Sequence, residues 1–280
     1  SAIAVGLSNT TIIIVFVVGG VLLGMLIGVA TDIFNRKLLF ADDLDEYNLP
    51  TNLIDLKLEK ANKAEILDNL HFKNGIVVLG DRIEGSARHM KVKVVGVVNL
   101  GFNTYDILSA LLAENGAAVN QKTLVIDLDL EKPTIHQLYK LDQANNSVNI
   151  ITGGNFEPVK VQDNLYVLPA TEYSFPARFL KDVRLKEAID KYAKEYDSIY
   201  INLPVTDYYG PIALNFNLID ILLINASFAG TKMKVLDKYI ENIDEQTRER
   251  LFINAIDSRV KKSFIKDLIV KIKSKRKSKK

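Results

Sequence analysis

The run Lys122–Pro133, KTLVIDLDLEKP, constrains this chain more than any other stretch. Its segment Thr123–Ile126 is apolar nearly throughout, as a strand covered on both faces must be. The strand ends in Asp127-Leu128-Asp129. Two carboxylates at the carboxyl end of a buried strand suit magnesium and nucleotide phosphates, because open α/β sheets gather ligands at that edge. The rest of the chain agrees with such a sheet. Strands are predicted at Val92–Val98, Thr123–Leu128, Leu165–Leu168, Ser198–Leu203, Ile219–Ile224 and Leu251–Asn254, with Ile76–Leu79 as an added edge strand. Helices fill the gaps, most clearly Leu180–Tyr196, where Leu180, Val183, Ala188, Ile189, Tyr192 and Tyr196 fall near one face. The predicted class is α/β, a doubly wound and mostly parallel sheet.

One further element stands before the sheet. Thr11–Ala30 holds twenty consecutive residues without a charge. As a helix at ~1.5 Å per residue it matches the ~30 Å hydrocarbon core of a bilayer. A cleaved signal peptide would be shorter and would follow a basic segment, and residues 1–10 carry no basic side chain. Asn35-Arg36-Lys37 follows the run directly, which places the C-terminal part in the cytoplasm. Gly20, Gly24 and Gly28 recur every four residues and line one smooth face. That face suits close helix packing, although glycine is also simply common in membrane helices. The chain then divides into 1–35, a transmembrane helix and its flanks; 36–75, a juxtamembrane segment; 76–260, the sheet domain; and 261–280, a basic tail.

Composition excludes several chemistries. The 280 residues contain no Cys, so disulfides, thiolate metal sites and cysteine nucleophiles are ruled out. His71, His89 and His136 are isolated and form no zinc pattern, and Gly153-Gly154 reads as a turn. The net charge of +2 hides an asymmetry. Residues 261–280 hold ten Lys/Arg and one Asp, or +9, leaving the other residues at −7. In that tail Lys261, Lys262, Lys266, Lys271, Lys273, Lys275, Arg276 and Lys277 stand beside apolar Phe264, Ile265, Leu268 and Ile269. A basic amphipathic end on a tethered protein points to anionic lipid rather than to nucleic acid; a solvated tail is the plain alternative.

Several phrases resemble bacterial tyrosine kinases of the polysaccharide co-polymerase family, which are P-loop ATPase relatives. Lys122–Pro133 resembles their VLLIDxDLRRP, and Leu38–Pro50 resembles the juxtamembrane phrase EDLEEILGLPVLG. Asn164–Ala170 is similar to LxVLPAG, Tyr196–Val205 to the Walker B phrase YDxVIIDTPP, and Leu251–Ser258 to GVVLNxV. The resemblance implies a P-loop fold, inner-membrane attachment, and assembly with itself or with polysaccharide export proteins. It also implies a glycine-rich loop ending in Gly-Lys-Ser/Thr before the Asp127 strand. The corresponding segment Val98–Tyr105 has one glycine, Gly101, and no lysine, with Asn103-Thr104 where Lys-Ser/Thr would stand. The Walker B acid is replaced by Asn202. The helix Leu56–Phe72 has Ala61, Ala64 and Leu67 at the positions of the family's Glu-x-x-Arg-x-x-Arg subunit contact, and no tyrosine follows Tyr239.

Phosphoryl transfer depends on positioned charge around the phosphates. With the loop lysine and the Walker B acid both missing, the expectation is a non-enzyme without a bound cofactor. Gly101, Asn103, Thr104, Asp127, Asp129 and Asn202 are then vestiges of a nucleotide site, with residual ATP-Mg binding as the open alternative. Asp127 and Asp129 could equally persist to cap and order their loop. The function expected is a membrane-anchored scaffold or regulator of surface polysaccharide polymerisation and export. The rivals are a divergent ATPase or kinase of the same family and a positioning ATPase.

Overall fold

The computed structural model describes residues 9–56, 69–86, 92–100, 107–204, 212–213, 217–257 and 259. Eight strands form one sheet: β1 (Thr51–Asp55), β2 (Val94–Asn99), β3 (Thr123–Asp127), β4 (Val159–Gln162), β5 (Leu165–Leu168), β6 (Ser198–Leu203), β7 (Ile221–Ser227) and β8 (Leu251–Asp257). Their order is β1-β8-β7-β2-β6-β3-β5-β4. All neighbours are parallel except the hairpin β4–β5. β2, β3 and β7 are buried at every residue, which is why their sequences show no polar alternation.

Helices cover both faces, as the doubly wound expectation required. On one face lie α2 (Leu70–Ser86) and α3 (Leu108–Ala118). Phe72, Ile76, Leu79 and Ile83 of α2 pack into the cluster around Val95, Val97 and Leu223. Ile76–Leu79 is therefore helical and not an edge strand. Ile76 and Leu79 belong to a stripe with Phe72 and Ile83, spaced by four, three and four, which is a helix period, while Val77 and Val78 face outward. The short helices α4 (Ile135–Tyr139), α5 (Asn149–Thr152) and α6 (Pro176–Phe179) lie in the connections. α7 (Val183–Glu195) and α8 (Met233–Glu241) cover the second face. There Leu185, Ile189, Tyr192, Leu236 and Tyr239 join Val94, Val98, Ile201 and Ile224. α7 starts where the Asp182 carboxylate accepts the Arg184 N–H, an N-cap. Of the predicted helix Leu56–Phe72, residues 57–68 lie outside the described residues.

Packing is tight at Gly96 in β2. A Cβ there would sit 2.6 Å from Ile219 Cδ1 and 3.0 Å from Leu203 Cδ1. Gly96→Val should destabilise the protein by about 1–3 kcal/mol through overpacking, read as a lower urea midpoint at unchanged slope.

Ahead of the sheet, α1 (Asn9–Asn35) is a helix of 27 residues. Its described apolar side chains are exposed, Phe16 at 76% and Leu26 at 67%. Counted over the described residues, no helix is long and apolar enough to cross a membrane. Described side chains in α1 run unbroken only from Phe16 to Val29, short of the ~20 a span takes. The uncharged stretch in the full sequence, Thr11–Ala30, does reach that length. A Cβ at Gly20, Gly24 or Gly28 would meet nothing within 4 Å.

After α1 the chain is strapped to the sheet. Met233 N–H donates to Arg36 O at 2.9 Å, Leu38 N–H to Thr231 O at 2.9 Å, and Ala229 N–H to Leu38 O at 2.7 Å. Leu38 is wholly buried. A 3-10 turn, Ala41–Tyr47, follows. The Asp43 carboxylate accepts from the Leu39 and Phe40 N–H groups and from Arg36. β1 comes next and pairs with β8, Thr51 opposite Ile253.

Candidate functional site

The carboxyl ends of β3 and β6 meet in register, with Asp127 opposite Asn202. The Asp127 side chain has no exposed surface. Its Oδ1 accepts from Asn202 Nδ2 at 3.0 Å and from the Asp129 N–H at 3.1 Å. Its Oδ2 accepts from the Thr134 and Ile135 N–H groups, each at 3.2 Å. An ionised carboxylate offers about four lone-pair sites, and here all are taken by internal donors. A metal ion at Asp127 would have to displace one of them. Burial pushes the Asp127 carboxyl up to about 6, outweighing the Asn202 amide and the backbone donors.

Asp129 is half-buried, and its Oδ1 accepts from the Lys132 N–H at 3.0 Å and the Glu131 N–H at 3.3 Å. Burial raises its carboxyl as well. Both aspartates thus order the loop that follows β3, and Ser147 Oγ ties that loop further by donating to Asp127 O at 2.8 Å. Among the described residues, no group of three or more His, Asp or Glu could hold a metal ion. His136 Nδ1 lies 3.4 Å from the Gln143 amide, whose Nε2 also donates to Ala170 O. Gly153, at φ 84°, closes α5 as a turn.

Gly101, Asn103 and Thr104 lie outside the described residues, and so does the tail Lys261, Lys262, Lys266, Lys271, Lys273, Lys275, Arg276 and Lys277. The segment holding the first three leaves from Leu100 at the end of β2. β6 separates β2 from β3, so the strands that carry Asn99 and Asp127 lie two strand spacings apart, ~10 Å.

A second polar feature was not foreseen. Asn52, Asn254, Asn225 and Asn99 stand in register across β1, β8, β7 and β2. Each amide donates to the next: Asn52 Nδ2 to Asn254 Oδ1, Asn254 Nδ2 to Asn225 Oδ1, and Asn225 Nδ2 to Asn99 Oδ1, all at 2.8 Å. All four residues are buried. In sequence each closes an apolar run, VVN, LIN or FIN, except Asn52 in TNLID. That shared position in three strands was the available signal. The ladder lies on the α2/α3 face and ends at the base of the segment 101–106. There Leu100 N–H donates to Asn225 O at 2.7 Å, and Thr231 Oγ1 donates to Leu100 O at 3.3 Å.

No protein-family model matches the chain, and no curated protein matches it. Solved structures do. The kinase domain of the Escherichia coli tyrosine kinase ETK is similar with a TM-score of 0.66 at 13% identity, over 81% of this chain and 98% of that one. The tyrosine kinase domain of BceF gives 0.65 at 16% identity, over 79% and 99%. The chimerical protein CapA2B2 gives 0.63 at 16% identity, over 76% and 97%. At these identities the likeness is one of fold.

Proposed function

We propose that this chain, which has the fold of bacterial tyrosine kinase domains, is a membrane-anchored, non-catalytic scaffold or regulator of surface polysaccharide polymerisation and export. One observation carries the non-catalytic part: the Asp127 carboxylate is fully buried and spends all four lone-pair sites on its own loop and on Asn202. The sequence supports it independently, since no Lys or Arg occurs between Lys93 and Lys122. A phosphate loop without its ammonium loses most of its charge complementarity.

The anchoring part rests on α1. Its uncharged length and the basic pair Arg36-Lys37 after it favour a single pass through an inner membrane, with the sheet in the cytoplasm. Such a protein works through assembly. The face of Gly20, Gly24 and Gly28 is open to a second helix, from a like copy or from another polysaccharide assembly protein. Residual ATP-Mg binding would then be a relic without turnover.

The full chain in nanodiscs should release no phosphate from ATP-Mg and should incorporate none on its own tyrosines. Millimolar ATP-Mg should leave its melting temperature unchanged, because a ligand that does not bind the native state does not raise it. Turnover that disappears in an Asp129→Asn variant would overturn the non-catalytic reading.

A further inference from the structure

We propose that the carboxyl edge of the sheet lies against the inner face of an anionic bilayer, with Lys37 and Lys232 holding a phospholipid headgroup between them. This rests on the reading of α1 as a membrane anchor.

The strap fixes the geometry. α1 ends at Asn35, and Arg36 and Leu38 are hydrogen-bonded to residues 229–233, which directly follow the carboxyl end of β7. Leu38 is three residues after Asn35, a reach of at most ~10 Å. A helix that leaves the bilayer near Asn35 therefore delivers this sheet edge, and not the opposite one, to the headgroup layer.

The chemistry of the contact comes from the strap itself. Lys37 and Lys232 face each other in an antiparallel bridge, and both are exposed. Side chains directly opposite in such a pair lie ~5 Å apart at Cβ, and like charges there repel. A phosphate between the two ammonium groups turns that repulsion into attraction. The neighbouring arginines are already engaged: Arg36 with Asp43 at 2.7 Å and Arg259 with Asp257 at 2.8 Å. Asp42, Asp45 and Glu46 on the adjacent 3-10 turn offset any broad positive field. The contact is thus local to the two lysines.

Arg259 Nη1 donates to Leu39 O at 2.7 Å, beside the strap. Charge complementarity selects phosphatidylglycerol or another anionic lipid over a neutral one.

The absence of cysteine allows single labels. Gly230→Cys marks the carboxyl edge. Lys194→Cys marks the amino edge, beside Lys93 and Asp220 at the starts of β2 and β7. The full chain, labelled with a fluorophore, is placed in nanodiscs of phosphatidylglycerol or phosphatidylcholine containing a headgroup-quencher lipid. Quenching is expected at 230 and not at 194, stronger in phosphatidylglycerol, and lost at 230 in a K37Q/K232Q variant that still enters the discs. If both labels stay unquenched while the chain resides in the discs, the edge contact is overturned and the anchor stands. A chain that does not enter the discs overturns the anchor and this proposal with it. Quenching at 230 that is equal in both lipids and indifferent to K37Q/K232Q overturns the headgroup site.

Discussion

Asn254→Leu should lower the stability of the full chain by about 2–5 kcal/mol, because it strands two buried partners at once. Asn52 Nδ2 loses its acceptor and Asn225 Oδ1 loses its donor, in residues that are 3% and 2% exposed. Each unsatisfied group costs ~1–3 kcal/mol, against a total stability of ~5–15 kcal/mol for a typical domain. Asn52→Leu at the end of the ladder should cost less, since only Asn254 Oδ1 loses a donor. The double variant N52L/N254L should be less damaging than the two single costs added, because the stranded Asn52 amide is gone. Urea unfolding of the four proteins checks this. Strict additivity would mean that the amides do not act as one ladder.

The second large effect depends on pH. Burial raises the Asp127 carboxyl from 3.8 to about 6. A group whose folded value is raised contributes stability that is complete below its unfolded value and is lost as pH rises through the folded one. Asp127 therefore favours the fold fully only below its unfolded value of 3.8 and loses that contribution as pH rises from there to about 6. At ~1.4 kcal/mol per unit the change amounts to about 3 kcal/mol. Asp127→Ala strips four donors of their acceptor, so it destabilises at every pH. Its deficit relative to the parent should be larger at pH 4 than at pH 7 by most of that amount. The comparison between the two proteins matters, since Asp129 is raised too, while Asp43 and Asp182 are lowered by their partners. A deficit that is the same at both pH values would show that the Asp127 carboxyl is not raised by folding.

The central sheet was legible because its strands are buried on both faces and advertise it: VVGVV, LVI and ILLI can hardly be anything else. The edges were not. β1 and β4, TNLID and VKVQ, are short and half-exposed, with patterns that a loop can share. Ile76–Leu79 misled because four apolar residues carry no period of their own; Phe72 and Ile83 on either side supply it. At the site, sequence alone put Asp127 and Asn202 in one neighbourhood through a family resemblance. It could not tell that the second donates to the first, which depends on strand register. The asparagine ladder could not be assembled from sequence for the same reason, although three of its members follow apolar pairs. Four single amides in four separate strands are unremarkable until the sheet order aligns them.

The pairing of β1 with β8 also has a consequence for how the chain is made. β1 touches no strand except β8, and the partners Asn52 and Asn254 are 202 residues apart. On a ribosome that works from the amino end, β1 stays without a strand partner until the roughly 200 residues that separate it from β8 have been made. Contacts of such long sequence separation form slowly, and open strand edges invite wrong partners meanwhile. A chain cut before Leu251 would leave β1 unpaired and expose the edge of β7. Completion of β8 is thus the step that closes this side of the sheet, after the strap's partners at residues 229–233 have been made.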